Sequence, residues 1–387
     1  MGPQRRVALV IETSNDYARG LLHGVRTYIR QYGRWTITLD EHSRGEANPT
    51  WLARWRGDGV IARIENSRIA RAVMSSGLPA VDVSAARLVP SLPWVETDDR
   101  AIARMAADHL AERGLRHFGY VGDERFNWSR WRREHFVEAV RNAGYPCELL
   151  LTPRGGRCLQ RDAQLARMAR WVRGLPKPVG VMVCYDILAQ QFLAACRLAG
   201  VDVPEEVAVI GVDNDELLCD LCDPPLTSVA PDSEQAGYLA ASLLEAMLAG
   251  RKVGPEGRRV APLGVIARQS TDISAIDDVA VSRAVRFIRQ HACDGIKAGD
   301  VVDESALSRR ALELRFHRAI GRTLHDEILR VRLERMKQLL TETEMPLARI
   351  AELAGFHHTE YATVFFRRET GEPPSRYRQQ RQRSRDR

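Results

Sequence analysis

Residues 347–371 read LARIAELAGFHHTEYATVFFRRETG. Leu347, Ile350, Ala351 and Ala354 recur at helical spacing, and Gly355 suits the positive-φ position that closes a helix. A second helix over 359–370 turns Ala362 and Phe366 inward and leaves Thr359, Glu360 and Thr363 outward. Helix, tight turn and second helix form the unit that lays one helix in a major groove. The pattern occurs twice. FHRAIG (316–321) and FRRETG (366–371) share a phenylalanine, a basic position and a glycine. A short helix over 299–305 and a longer one over 308–319 complete the earlier copy. Two such units about 50 residues apart place two helices in successive grooves, roughly 34 Å apart on one duplex face.

Upstream the pattern changes. VALVIE (7–12), WTITLD (35–40), GVIARI (59–64), PAVDVS (79–84), HFGYVG (117–122), GVMVCY (180–185) and VAVIGVD (207–213) are short apolar runs rich in Val and Ile. They lack strict alternation, as strands buried on both faces of a parallel sheet do. Helical patterns lie between them at 17–30, 102–112, 134–142, 188–198 and 234–248. Repeated β-α units predict an α/β fold of doubly wound parallel sheets, and this length of chain divides into two lobes with a cleft between them. Beyond 271 no β-α alternation remains. Helices are expected at 281–292, 312–319, 324–340, 347–354 and 359–370, with Pro346 at a helix start. The expected division is a two-lobed effector and dimerisation domain at 7–271 and an all-α domain with two helix-turn-helix units at 279–381.

Charge follows the same division. The 387 residues carry 57 basic and 50 acidic groups, a net +7. From Asp278 onward there are 22 basic and 16 acidic residues, against 35 and 34 before it. A near-neutral body suits an uncharged polar ligand, and a basic tail suits double-stranded DNA. Arg381, Arg383, Arg385 and Arg387 read as a disordered basic end. No run approaches the ~18 apolar residues of a membrane span, and MGPQRRVALVIETSN holds too few for a signal h-region of roughly 7–15. A cytoplasmic protein with seven reduced cysteines and no membrane partner is expected.

The tail closely resembles the DNA-binding domain of the AraC family. FRRETGEPPSRYR (366–378) carries that signature, and RLERMKQLL (332–340) fits its linking helix. AVIGVDN (208–214), LTSVAP (226–231) and AGYLAASLL (236–244) resemble the effector core of lactose-repressor-type regulators, itself similar to periplasmic sugar-binding proteins. A core of that kind ahead of an AraC-type tail is the arrangement of the xylose-operon regulator family. Tyr17, Arg19, Trp51, GDGVIA (57–62) and IRQHACDGIK (288–297) also fit that family. The resemblance implies a transcription activator controlled by D-xylose or a similar pentose, acting as a homodimer and reaching RNA polymerase. A sugar-released repressor is the alternative.

Residues after strand ends are the candidate sugar ligands: Glu12, Ser14, Asn15, Asp16, Arg63, Asp186 and Asp213, with Trp128 and Arg130 from a polar aromatic loop. A sugar needs bidentate polar groups and an aromatic wall. On the tail, Arg309, Arg310 and Glu313 of the first unit and His358, Thr359, Glu360 and Thr363 of the second are positioned to read bases. Arg367, Arg368, Arg376 and Arg378 suit phosphates. Motifs for phosphate-loop, zinc-protease and serine-hydrolase chemistry are absent. Cys219 and Cys222 lack a second ligand pair, and His357-His358 has the wrong spacing to chelate. No enzyme, cofactor or metal is expected. A sugar-processing activity would fall to the paired carboxylates Asp186 and Asp213.

Overall fold

The computed structural model describes residues 4–33, 35–41, 48–152, 161–273 and 278–385. The chain divides into two compact units at 273/274. In the first unit, one lobe opens with β1 (Arg5–Val10), α1 (Asp16–Tyr32), β2 (Trp35–Leu39), β3 (Gly59–Ala62), α2 (Ser67–Ser76), β4 (Ala80–Asp82) and β5 (Trp94–Thr97). The chain crosses to a second lobe through α3 (Asp99–Ala111), β6 (His117–Asp123), α4 (Asn127–Asn142), β7 (Cys147–Thr152) and α5 (Arg161–Gly174). That lobe continues with β8 (Val179–Val183), α6 (Asp186–Ala199), β9 (Val207–Val212), α7 (Glu216–Leu221) and β10 (Thr227–Ala230). Then α8 (Ser233–Leu248) and β11 (Gly257–Val260) return to the first lobe, and β12 (Gly264–Ile266) closes the second.

Each lobe holds a six-stranded sheet, ordered β11-β5-β4-β3-β1-β2 and β12-β10-β9-β8-β6-β7. The first is parallel throughout, and in the second β12 alone runs antiparallel. Strands β3, β8 and β9 are buried at every position, so their sequences run apolar without alternation. Strand order reverses between β1 and β3 in one sheet and between β6 and β8 in the other. Ligands of such sheets bind outside the carboxyl ends at these reversals. The chain passes between the lobes three times, at 97–99, 230–233 and 260–264.

Helix α1 starts where Asn15 Oδ1 accepts from the Ala18 amide at 2.9 Å, and it buries Tyr17, Leu21, Val25 and Tyr28 along one face. It packs on α8 so closely that glycine is required. A Cβ at Gly237 would stand 2.0 Å from the Leu21 carbonyl oxygen, and one at Gly24 would stand 1.9 Å from that of Glu234.

Two expectations from the sequence are corrected. The loop expected at Trp128 and Arg130 is the first turns of α4. Phe126 precedes it with no side-chain capping bond, so no capping residue marks the start. The arginine-rich end is also helical. Proline at the first helical position starts α15 (Pro374–Arg385), numbered here last of the helices, and it runs through Arg385. Arg387 lies outside the described residues.

The second unit otherwise comprises α9 (Val279–His291), α10 (Ala298–Asp303), α11 (Arg309–Ile320), α12 (Leu324–Glu342), α13 (Leu347–Leu353) and α14 (Thr359–Thr370). Val285, Ile288, Leu312 and Phe316 form one core with Leu324 and Ile328 of α12. Later turns of α12 give Leu333, Met336 and Leu340 to a second core with Ile350, Ala351, Phe365 and Phe366. Arg332 joins the two halves. Its Nε donates to the Ala292 carbonyl at 2.8 Å, Nη2 donates to that of Ile296 at 2.7 Å, and its guanidinium lies 5.6 Å from the Phe356 ring. Gly355 turns at φ +81, where a Cβ would stand 2.6 Å from the Ala292 carbonyl oxygen.

Candidate functional site

The strand ends at both reversals bring charge into the cleft of the first unit. After β3, Arg63 is 5% exposed, paired with Glu12 and, at 3.0 Å, with Glu65. Its guanidinium lies 5.2 Å from the Tyr17 ring centre. Glu12, after β1, also accepts from Asn15 Nδ2 at 3.0 Å. The second lobe repeats this arrangement. Arg132 of α4 is 4% exposed, donates to Asp99 at 2.7 Å and to the Cys184 carbonyl at 2.6 Å, and lies 5.0 Å from the Trp128 ring. Tyr17, Arg63, Glu96, Thr97, Trp128, Arg132 and Asp213 line one pocket.

Burial sets the electrostatics of this pocket. It works against the charge on Arg63, but Glu12 and then Glu65 outweigh it and hold the guanidinium above its usual range. For Arg132 burial is likewise overcome, first by Asp99 and then by Asp213. Burial, and then the Asp99 carboxylate, pushes Glu96 up to about 8 despite Arg87 at 2.7 Å. Tyr17 is pushed up to about 12 by burial and then by Glu96. The pocket thus combines two guanidinium groups, a Glu96 carboxyl whose burial favours its protonated form, a phenol and two aromatic faces. Such a set pairs hydroxyl groups and covers a C–H face.

Of the residues singled out in the sequence, Arg63, Trp128 and Asp213 line this pocket, and Glu12 pairs with Arg63 behind it. Asp16 lies on a wider part of the cleft with Arg19, Asn214 and Asp232. Asn15 caps α1, and Ser14 is exposed. Arg130 lies off the pocket, donating to the Glu124 carbonyl at 3.3 Å and pairing with Asn127. Asn127 Nδ2 in turn reaches the Ala85 and Ala86 carbonyls of the first lobe at 2.9 and 3.2 Å. Asp186 is 1% exposed, and its oxygens accept from Ser228 Oγ at 2.7 Å, the Asp215 amide at 3.0 Å and Cys219 Sγ at 3.4 Å. It thereby fixes the turn on which Asp213 stands at φ +114. With both oxygens engaged, Asp186 is poorly placed for acid–base work with Asp213. Tyr17, Glu96, Thr97 and Arg132 were not among the candidates. WVETDD (94–99) carries the same polar-after-strand signal as the loops that were chosen.

On the second unit five of the seven base-facing candidates, Arg309, Arg310, Glu313, His358 and Glu360, are exposed. Arg309 pairs with Glu313 at 2.9 Å along α11, and Arg310 is exposed. His358 stands at the N-cap of α14 without a side-chain capping bond, and Glu360 is exposed. Thr359 is half-buried, and Thr363 Oγ1 donates back to its carbonyl at 2.8 Å. Arg367 is exposed, Arg368 pairs with Glu369 at 2.8 Å, and Arg376 is 70% exposed with Glu372 at 3.9 Å. Arg378 Nη2 donates to the Met345 carbonyl at 2.6 Å.

Three family models match in order along the chain. Residues 6–100 match the XylR N-terminal domain, 107–271 the periplasmic binding protein-like domain and 301–380 a helix-turn-helix domain. The xylose operon regulatory protein of Escherichia coli K12 is 31% identical over 385 residues, covering 97% of each chain. That of Haemophilus influenzae is 30% identical over 383 residues, covering 96% of this chain and 98% of the relative. The solved structure of the xylose-binding transcription activator XylR matches with a TM-score of 0.84 at 30% identity, covering 97% of this chain and 98% of that one. These relatives are transcription regulators, not enzymes, and their similarity runs through both units: the chain belongs to the family of xylose operon regulatory proteins.

Proposed function

We propose that the chain activates transcription in response to D-xylose held between its two lobes. The observation that carries this reading is the pocket itself, where Arg63 and Tyr17 of one lobe meet Arg132, Trp128 and Asp213 of the other. The aromatic faces cover the C–H surface of the pentose, and Arg63, Glu96, Arg132 and Asp213 pair its hydroxyls. Glu12 and Asn15 hold Arg63 in place, and Asp186 holds the Asp213 turn. Because the site joins two lobes, a ligand that binds the closed arrangement better shifts the protein toward it. Residues 7–271 act as the effector and dimerisation domain of a cytoplasmic homodimer. Residues 279–381 read DNA and present the complex to RNA polymerase.

Thermal unfolding of the full chain with D-xylose, other pentoses and D-glucose tests the ligand. D-xylose at 100 times its Kd stabilises the protein by roughly 2.7 kcal/mol, and the other sugars do so only at higher concentration. A hexose that stabilises more strongly than D-xylose rejects the pentose assignment. A promoter fusion separates the two signs of control, since expression that rises when the protein is deleted identifies a repressor.

A further inference from the structure

The offset of 50 residues between the two helix-turn-helix copies also holds in three dimensions. Leu312 and Phe316 are buried on α11, and their counterparts Ala362 and Phe366 are buried on α14. The two helices therefore present equivalent positions to solvent. On α11 the outward stripe at i, i+3, i+4 and i+7 is Arg310, Glu313, Leu314 and His317; on α14 it is Glu360, Thr363, Val364 and Arg367.

Each stripe has an exposed aliphatic side chain at its middle. Leu314 is 62% exposed and Val364 is 68% exposed. A lone exposed leucine on a protein surface calls for no explanation. Here, however, the large apolar side chains exposed among the described residues of this unit are Leu314, Met345, Tyr361 and Val364. Three of the four lie on the two recognition helices, and two of those occupy the same position of the repeat. Around Leu314, α11 exposes Arg309, Arg310, Arg315 and Arg318 against the one carboxylate Glu313, and Arg367 and Arg368 balance Glu360 and Glu369 around Val364, so the two faces together are basic and suit a polyanion rather than an apolar protein face. In the major groove the one apolar group at a base edge is the thymine 5-methyl, which aliphatic side chains contact.

We propose that Leu314 and Val364 are specificity-determining residues that read thymine methyl groups, one in each of two successive major grooves. This rests on the assignment of α11 and α14 as base-reading helices. Arg310 and Glu360 then read the neighbouring bases by hydrogen bonding, and the aliphatic residue between the polar contacts favours thymine over cytosine, which lacks the methyl.

The test uses the full chain and a site it selects from a random double-stranded DNA library, resynthesised with deoxyuridine replacing thymidine at one position at a time. Deoxyuridine removes only the methyl. At one position in each half of the site, wild-type affinity falls about fourfold, the value of one buried methyl(ene). Leu314→Ala binds the thymidine site about fourfold more weakly and no longer distinguishes deoxyuridine in one half, and Val364→Ala does the same in the other. Both side chains are exposed, so both variants fold; Val364→Thr, which keeps one methyl, retains part of the discrimination. Equal wild-type affinity for the two DNAs overturns the proposal while leaving DNA reading intact, as do alanine variants with full discrimination. Failure to select any DNA site overturns both.

Discussion

The proposed sugar pocket and the proposed recognition helices both depend on arginine, and they use it in opposite ways. Arg63 and Arg132 are 5% and 4% exposed, and each is matched to a buried carboxylate before any ligand arrives. Arg310, Arg367 and Arg376 are exposed. Arg309 and Arg368 are exposed as well and make short-range pairs along their own helix. A buried charge is costly unless its partner stays in place, so each guanidinium is held by a carboxylate already built into the fold. An exposed charge costs little, and its value appears when it displaces counterions from DNA. In the proposed function the pocket thus discriminates through the fixed geometry of paired groups, and the tail combines salt-dependent attraction with a few base contacts.

The most severe way to break this comparison is Arg132→Ala. It leaves the Asp99 carboxylate buried beside no cation and removes the bond to the Cys184 carbonyl. Loss of one partner of a buried pair costs about 3–5 kcal/mol, which urea unfolding monitored at the tryptophans would register. Replacing both partners, Arg132→Met with Asp99→Leu, costs less than the single change, because no charge is then stranded. Arg367→Ala on the tail shifts stability by no more than about 0.5 kcal/mol. If Arg132→Ala were equally mild, the contrast between the two regions would fail.

The same contrast explains what the sequence discloses. Central strands such as β8 and β9 are buried on both faces and announce themselves as apolar runs. Strand β11 is exposed at Gly257, Arg258 and Arg259, and β5 carries Glu96 and Thr97 into the pocket, so neither has the composition of a core strand. Arg63, Trp128 and Asp213 are legible because each follows a strand end. Asp186 has the same sequence context as Asp213, and only the folded positions of Ser228, Asp215 and Cys219 separate their roles. Arg132 lies inside α4, where nothing local distinguishes it from Arg133; its role comes from Asp99, across a crossover 33 residues away. The tail was more legible because its contacts are local, and α14 spans the same residues, Thr359–Thr370, that periodicity predicts.

A second effect concerns pH. Glu96 rises from 4.5 to about 8 on folding, through burial and the nearby Asp99. Between those values the folded chain holds a proton that the unfolded chain has released. The contribution of Glu96 to stability is therefore fully present below about 4.5, is lost as pH rises and levels off above about 8, by at most about 1.4 kcal/mol per unit for a single group. Glu96→Gln cannot titrate, so the variant's unfolding midpoint should depend less on pH across this window. An unchanged profile would show that Glu96 is ionised in the folded protein, and the pocket would lose its proposed O–H donor.

The smallest expected effect lies on the exposed side of the comparison. Arg376 is 70% exposed, and its nearest carboxylate, Glu372, is 3.9 Å away, so the folded protein holds it loosely. A phosphate contact from such a residue carries no sequence information and releases about one counterion. Arg376→Ala should weaken binding to every DNA sequence alike and lower the slope of log affinity against log salt by about one. Arg310→Ala should relax preference at one base pair while leaving most of that slope in place. Anisotropy titrations of both variants on matched and scrambled duplexes at several salt concentrations separate the two outcomes. If Arg376→Ala altered sequence preference and Arg310→Ala altered only the slope, the roles would be reversed: α15 would reach the base edges and the start of α11 would lie along the backbone.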